Sequence, residues 1–256
     1  MICASAVFFC GNCGKVMSFT ALTTQKAGDF LSLEGFSPSL LKAMTISEKK
    51  ALCLEIRKFL VSSVQKTGGH LSANLGTVEL SVALHSVFES PRDKIIWDVG
   101  HQAYTHKILT GRAQGFSTLR KEGGISGFPK PSESEHDAFI AGHSSISVSA
   151  ALGIAQAKKI KGEAGDVIAV IGDGAFTGGE AYEGFNNAGK SKAKVIVVLN
   201  DNGMSISKNT GALPMHLAQI RSTRGYYKAK KNVKTALEKT PVIGKPLDSF
   251  ISRTKG

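Results

Sequence analysis

The chain has 256 residues, 42% of them hydrophobic, and a formal net charge of +12. That apolar share suffices for a sizeable core over one or two domains, and no apolar run approaches the roughly 20 residues that a membrane-spanning helix needs. Residues 221–256 hold ten Lys/Arg against two Asp/Glu, a net of +8, and residues 1–27 hold +2, so 28–220 keeps only +2 of the +12. This distribution argues against a folded nucleic-acid-binding surface.

Residues 1–27 show no periodicity and are expected to form a poorly ordered extension, with Met17 as an alternative start. Ile2 to Phe9 is apolar but short and lacks a basic n-region, so no secretory signal is expected. Cys10 and Cys13 have the CxxC spacing, but a structural zinc site needs about four ligands and no second CxxC or His pair follows. Residues 46–66 read as a helix, with Leu52, Ile56, Phe59, Leu60 and Val64 at helical spacing, Thr45 or Ser47 as cap, and Gly68-Gly69 as terminator. Cys53 falls on that helix as a small core residue. Val78 to Val87 is a second apolar helix. Ile95-Ile96-Trp97 reads as a short buried strand, with Asp98 to His101 at its carboxyl end.

Gly123 to His136 is rich in Gly, Pro, Ser and charge and reads as a long loop of the functional or mobile kind. Ser144 to Lys159 returns to helix, where Ala150, Ala151, Gly153 and Ala155 permit close packing. Two apolar runs follow, Val167 to Ile171 and Val195 to Leu199, separated by a helix-length segment. They predict a βαβ unit with parallel, buried strands. After Ser207 the pattern weakens into irregular or helical pieces. The alternation of strand and helix predicts an α/β fold, a doubly wound parallel sheet flanked by helices, over 28–220, with a basic tail over 221–256.

Each run of the βαβ unit ends in a polar cluster, Gly172-Asp173-Gly174 and Asn200-Asp201-Asn202. In open α/β sheets ligands bind at the carboxyl ends of the strands. Asp173 offers a hard carboxylate oxygen and Asn202 an amide oxygen, the donors Mg²⁺ takes when it shares its shell with phosphate. The glycines let backbone approach an anion closely, and the helix after them points its first amides the same way. A lone GDG is common in turns. The pair, each half capping an apolar strand, is far more specific.

The GDG-to-Asn pair resembles the thiamine-diphosphate motif. Further segments appear in a single family's order: Gly68-Gly69-His70-Leu71-Ser72-Ala73-Asn74-Leu75-Gly76, Trp97 to Tyr104, His106 to Gly111, Gly142-His143-Ser144-Ser145, and Asn200 to Ser207. Together they resemble 1-deoxy-D-xylulose-5-phosphate synthase from about Gly28 to the C-terminus. The resemblance implies condensation of pyruvate with glyceraldehyde 3-phosphate and release of CO₂. That is the first step of non-mevalonate isoprenoid synthesis, and it also feeds thiamine and pyridoxal synthesis. The implied cofactors are thiamine diphosphate and Mg²⁺.

The resemblance also implies roles. Asp173, Asn202 and the Met204 carbonyl would bind Mg²⁺, and the amides of Gly174 and Ala175 would hold the diphosphate. His70 and His101 would stand near the reacting carbon and the phosphates, as catalytic groups. His101, Gly142, His143 and Ser144 would lie along the cofactor, although Ser144 also suits a helix cap. Glu183 matches an acidic family position, whereas Glu180 stands where an apolar or small residue is expected. Lys107 and Arg112 are read as surface charge, with a substrate phosphate as the alternative.

Family chains are more than twice this length. Their pyrimidine-binding and C-terminal domains do not fit here, so the chain is expected to hold half a site and to be inactive alone. A homodimer is expected for the full-length protein. Other readings are the N-terminal subunit of a split transketolase, a non-catalytic cofactor-binding remnant, and a nucleic-acid binder working through the tail. A bacterial cytoplasm is the expected location. A plastid is the alternative, though one Lys before residue 20 makes a weak transit peptide.

Overall fold

The computed structural model describes Ser5–Phe8, residues 36–140 and residues 142–201. Expectations for the rest of 1–27, for Asn202 and Met204, and for the basic tail lie outside the described residues. The described residues belong to one unit, Ala4–Asn202.

In chain order the elements are β1 (Ser5–Phe8), α1 (Pro38–Ala43), α2 (Ile46–Thr67), α3 (Leu71–Leu75), α4 (Val78–Val87), β2 (Lys94–Trp97) and α5 (Tyr104–Lys107). Helical turns over Ile108–Thr118 follow, then α6 (Ser147–Lys161), β3 (Val167–Gly172), α7 (Asp173–Phe176), α8 (Gly179–Lys190) and β4 (Ile196–Asp201). None of the described helices is long and apolar enough to cross a membrane.

The sheet order is β1-β4-β3-β2. β2, β3 and β4 run parallel, and β1 joins β4 antiparallel as an edge strand. Alternate residues of β3 feed opposite cores. Ile168 and Val170 pack with Leu80, Leu84, Ile95, Trp97 and Val198 on the α4 side. Val167, Ala169 and Ile171 pack with Val148, Ala151, Ala155 and Ala181 on the side of α6 and α8. Burial on both faces is why β3 reads as an unbroken apolar run. The connecting helices α6 and α8 both pack on one face of the sheet. This is the predicted parallel α/β sheet flanked by helices.

A third core lies among the helices, where Leu52, Ile56 and Leu60 of α2 meet Val78, Val82, Tyr104, Ile108 and Phe116. Thr45 starts α2 with a capping box: its side chain accepts from the Glu48 amide, and the Glu48 carboxylate accepts from the Thr45 amide. Such a cap contributes about 1 kcal/mol. Cys53 is buried in this core, and burial pushes its thiol up to about 12. It is a packing residue, as expected.

Candidate functional site

The sequence-predicted residues that are described stand at the carboxyl ends of the parallel strands and at adjoining helix starts. His70 immediately precedes α3, and His101 lies in the turn after β2. Their rings meet edge to face with centroids 5.1 Å apart, and Phe128 packs against His70 at 6.5 Å. Burial, then the neighbouring His70, holds His101 below the usual imidazole range, against a weaker opposite pull from Asp98. His101 is therefore a neutral ring near pH 7, able to accept a proton or share one.

The two histidines meet because Asn74 staples their backbones together. This fully buried amide donates to the His70 carbonyl at 2.6 Å and to the His101 carbonyl at 2.8 Å. Its own oxygen accepts from the Tyr104 amide at 2.8 Å. Beneath them, Gly69 has φ +138°, and a Cβ there would lie 2.7 Å from Tyr104 Oη. Only glycine fits this close approach.

The turn carrying His101 is strained. Val99, a β-branched residue, has φ 59°, and the Gly100 amide bonds back to the Asp98 carbonyl. Such outliers persist only where surrounding structure over-determines them, and they cluster at functional sites. The Gly142-His143-Ser144 turn is exposed, and Ser145 after it is buried with φ 73°. Ser145 Oγ donates to the Ala175 carbonyl at 2.7 Å. Helix α6 begins at Ser147 with Ile146 as the preceding residue, so Ser144 is not its cap.

Asp173 opens α7 directly after β3, and Gly174 and Ala175 complete its first turn. First-turn amides have no acceptor within their own helix. Gly172 pairs in parallel register with Asn200 of β4. Among the described residues no group of three or more His, Cys, Asp or Glu assembles a metal site. The expected set draws one carboxylate from these residues and its other donors from Asn202 and Met204.

Lys107 and Arg112 correct a sequence expectation. They are not surface charges. Lys107 is fully buried and pairs with Glu133, with Asp137 Oδ2 3.7 Å from Nζ. Arg112 binds Asp137 through both terminal nitrogens and also reaches Glu133 at 2.8 Å. His106 Nε2 and Asp137 Oδ1 are 3.0 Å apart, and His106 Nδ1 meets His85 Nε2 at 2.9 Å. Burial pushes the Asp137 carboxyl up, but hydrogen bonds from His106 and Arg112 outweigh it and hold the group well below the usual carboxylate range. This cluster pins the 123–137 loop, since Glu133 also accepts from the Ser126 amide and Asp137 from the Lys130 amide, both at 2.7 Å. Sequence reasoning missed the cluster because the cations and carboxylates are 21–30 residues apart.

On α8, Ala181 and Gly184 are the buried residues. Glu180 is exposed and accepts from Ser149 Oγ at 3.2 Å, so its charge does not disturb the packing that its position had put in doubt. Glu183 is also exposed, and with Glu180 and Ser149 it lines an open groove of about 550 Å³ between α6 and α8. The side chains of His70, His101 and Asp173 are not part of that lining.

A parallel sheet sandwiched by helices, with an acidic glycine turn and histidine-bearing turns at its strand ends, defines an α/β domain of the thiamine-diphosphate-binding class. A family model described as 1-deoxy-D-xylulose-5-phosphate synthase matches residues 35–256. The chain belongs to the 1-deoxy-D-xylulose-5-phosphate synthase family. It is 58% identical over 208 residues to the protein of that name from Syntrophomonas wolfei, covering 81% of this chain and 33% of the relative. The Clostridium kluyveri protein of the same name is 55% identical over 215 residues (84% and 34%). The Caldanaerobacter subterraneus protein is 55% identical over 219 residues (86% and 35%). The chain thus spans about a third of the length of the curated relatives it matches.

Proposed function

We propose that this chain forms the diphosphate- and Mg²⁺-binding part of a 1-deoxy-D-xylulose-5-phosphate synthase, which condenses pyruvate with glyceraldehyde 3-phosphate and releases CO₂. The observation that carries this reading is the register of β3 against β4. Gly172 stands opposite Asn200. Asp173 follows the first directly, and Asn202 comes two residues after the second. The two halves of the motif therefore leave neighbouring parallel strands at the same end, which is where such sheets bind ligands.

The residues fit the cofactor. A Cβ at Gly142 or Gly172 would meet nothing within 4 Å, so backbone there is open to close approach. The donor set is right for a diphosphate with its cation: a carboxylate at Asp173 and first-turn amides at Gly174 and Ala175. Asp173, the Asn202 amide and the Met204 carbonyl would hold Mg²⁺, and Gly142, His143 and Ser144 would lie along the cofactor. Thiamine diphosphate supplies the electron sink for decarboxylation when bound. His101, neutral by burial, and His70 beside it would hold or pass a proton near the reacting carbon, a role that their ring contact and the lowered His101 pKa support. The close Gly69–Tyr104 approach and the Asn74 staple hold the backbones that carry them together.

Calorimetric titration of thiamine diphosphate, with and without Mg²⁺, tests this reading. Mg²⁺-dependent binding that weakens at least tenfold in Asp173→Asn is the expected result. Binding indifferent to Mg²⁺ and to that substitution would refute it.

A further inference from the structure

Asp98 is not among the groups assigned above to cofactor, cation or proton, yet it is buried at the junction of three segments of the site, with 1% exposure. Its amide donates to the Val170 carbonyl at 2.8 Å, which anchors it to the sheet beside β3. Its carboxylate faces another part of the chain. Oδ1 accepts from the Ser145 amide at 2.7 Å, and Oδ2 accepts from the Ser147 amide at 2.9 Å. Both oxygens are thus committed to a segment 47–49 residues away.

This carboxylate closes a chain of contacts. Asp98 belongs to the turn that carries His101, with strained Val99 between them. Ser145 follows Gly142-His143-Ser144 and is itself held at positive φ. Ser145 Oγ reaches on to Ala175 beside Asp173. Gly178 backs the same side chain so closely that a Cβ there would lie 2.1 Å from Ser145 Oγ. A carboxylate is suited to this place because it only accepts, and two convergent N–H donors need an acceptor on each arm. Its negative charge also complements the positive start of α6.

We propose that Asp98 is a positioning residue that holds the Gly142-His143-Ser144 turn in its cofactor-binding shape and in register with the His101 turn and the Asp173 turn. The proposal rests on the reading that this turn contacts thiamine diphosphate. Without the clamp, Ser145 relaxes from its left-handed conformation, and the turn must be ordered at the expense of binding.

Asp98→Asn is the direct probe, since it keeps the shape but turns an NH₂ toward one of the two donors. Two readouts are needed: native-state hydrogen exchange of individual amides, and titration of thiamine diphosphate with Mg²⁺. Exchange at Ser145 and Ser147 should accelerate at least tenfold in the variant while β3 and β4 amides keep wild-type protection, and cofactor affinity should fall at least tenfold. A purely structural role would raise exchange in the strands as well. Gly178→Ala displaces Ser145 from the opposite side with Asp98 intact, and it should also weaken binding at least tenfold. If Asp98→Asn does not fold, the Gly178→Ala result decides. Wild-type affinity in a folded Asp98→Asn protein, or in Gly178→Ala, overturns the proposal alone. A wild-type chain that takes up no cofactor overturns the functional reading and the proposal with it.

Discussion

Arg112 grips Asp137 end-on, with Nη1 2.7 Å from Oδ2 and Nη2 2.8 Å from Oδ1. The carboxylate is wholly buried and the guanidinium nearly so. Such a bidentate pair is directional as well as strong. It ties the loop that carries Phe128, and hence the wall beside His70, to the turn that ends the Tyr104–Arg112 segment.

Removing Arg112 takes its bidentate partner from buried Asp137 and leaves the carboxylate to His106, the Lys130 amide and Lys107 3.7 Å away. Arg112→Ala should therefore destabilise the protein by about 3–5 kcal/mol, read as a lower denaturant midpoint. Arg112→Lys should recover only part of this, because an ammonium cannot match the fork. A neutral Arg112→Ala would show that the cluster does not hold the loop.

The same cluster gives a pH dependence. Burial holds His85 well below the usual imidazole range, and burial holds His106 below it despite the pull of Asp137. The unfolded chain then binds more protons than the folded one as pH falls below about 6.5. Their contribution to stability is fully present above that pH and is lost as pH falls toward the folded values. The melting temperature should drop between pH 7.5 and 5.5, and His85→Gln should flatten the slope. A melting temperature that is flat over this range would contradict the neutral, buried assignment.

His101 should titrate below the ordinary imidazole value, because burial and then His70 both disfavour its charge. Replacing His70 by Ala removes the second cause, so the His101 midpoint should rise. Proton-detected titration of the imidazole resonances checks this, and a midpoint unmoved by His70→Ala would show that the rings do not interact.

Asn74→Ala would leave the carbonyls of His70 and His101 and the amide of Tyr104 without their common partner. A cost of about 1–3 kcal/mol is expected from unsatisfied buried groups. The His101 resonance should shift in the folded variant, since its turn is no longer tied to α3. Equilibrium unfolding and the same titration measure both effects.

Gly69→Ala should be destabilising by at least about 1–3 kcal/mol, the usual cost of a forbidden backbone conformation. Tyr104 cannot swing aside, because it is fully buried. A wild-type melting temperature in Gly69→Ala would mean that the Gly69–Tyr104 approach is looser than the structure shows.

The three parallel strands and the main helices were legible in the sequence because their signals are local, whereas β1 was not, since Ser5–Phe8 lies in a segment read as an unpatterned extension and is a strand only by pairing with β4. The expected helix 46–66 and the observed Ile46–Thr67 share a cap at Thr45 and a stop at Gly68. Val167 to Ile171 read as a buried parallel strand because both of its faces are apolar. The motif residues His70, His101, Gly142 to Ser144 and Asp173 were legible as a set, and the structure brings His70 against His101. Glu133 and Asp137 were invisible as anchors, since a charged loop looks the same whether it is solvated or pinned.

The sequence by itself determined where chain direction, apolar period and turn chemistry change, because these depend on neighbours within a few residues. It therefore determined the parallel α/β sheet and the placing of the glycine turns at strand ends. Only the tertiary structure decided which polar groups meet. Lys107 and Arg112 became buried partners of Asp137, Asn74 became the staple between two histidines, and Asp98 reached Ser145 and Ser147 across 47–49 residues of chain. A buried charge must find its partner wherever folding brings one, and no local pattern encodes that encounter.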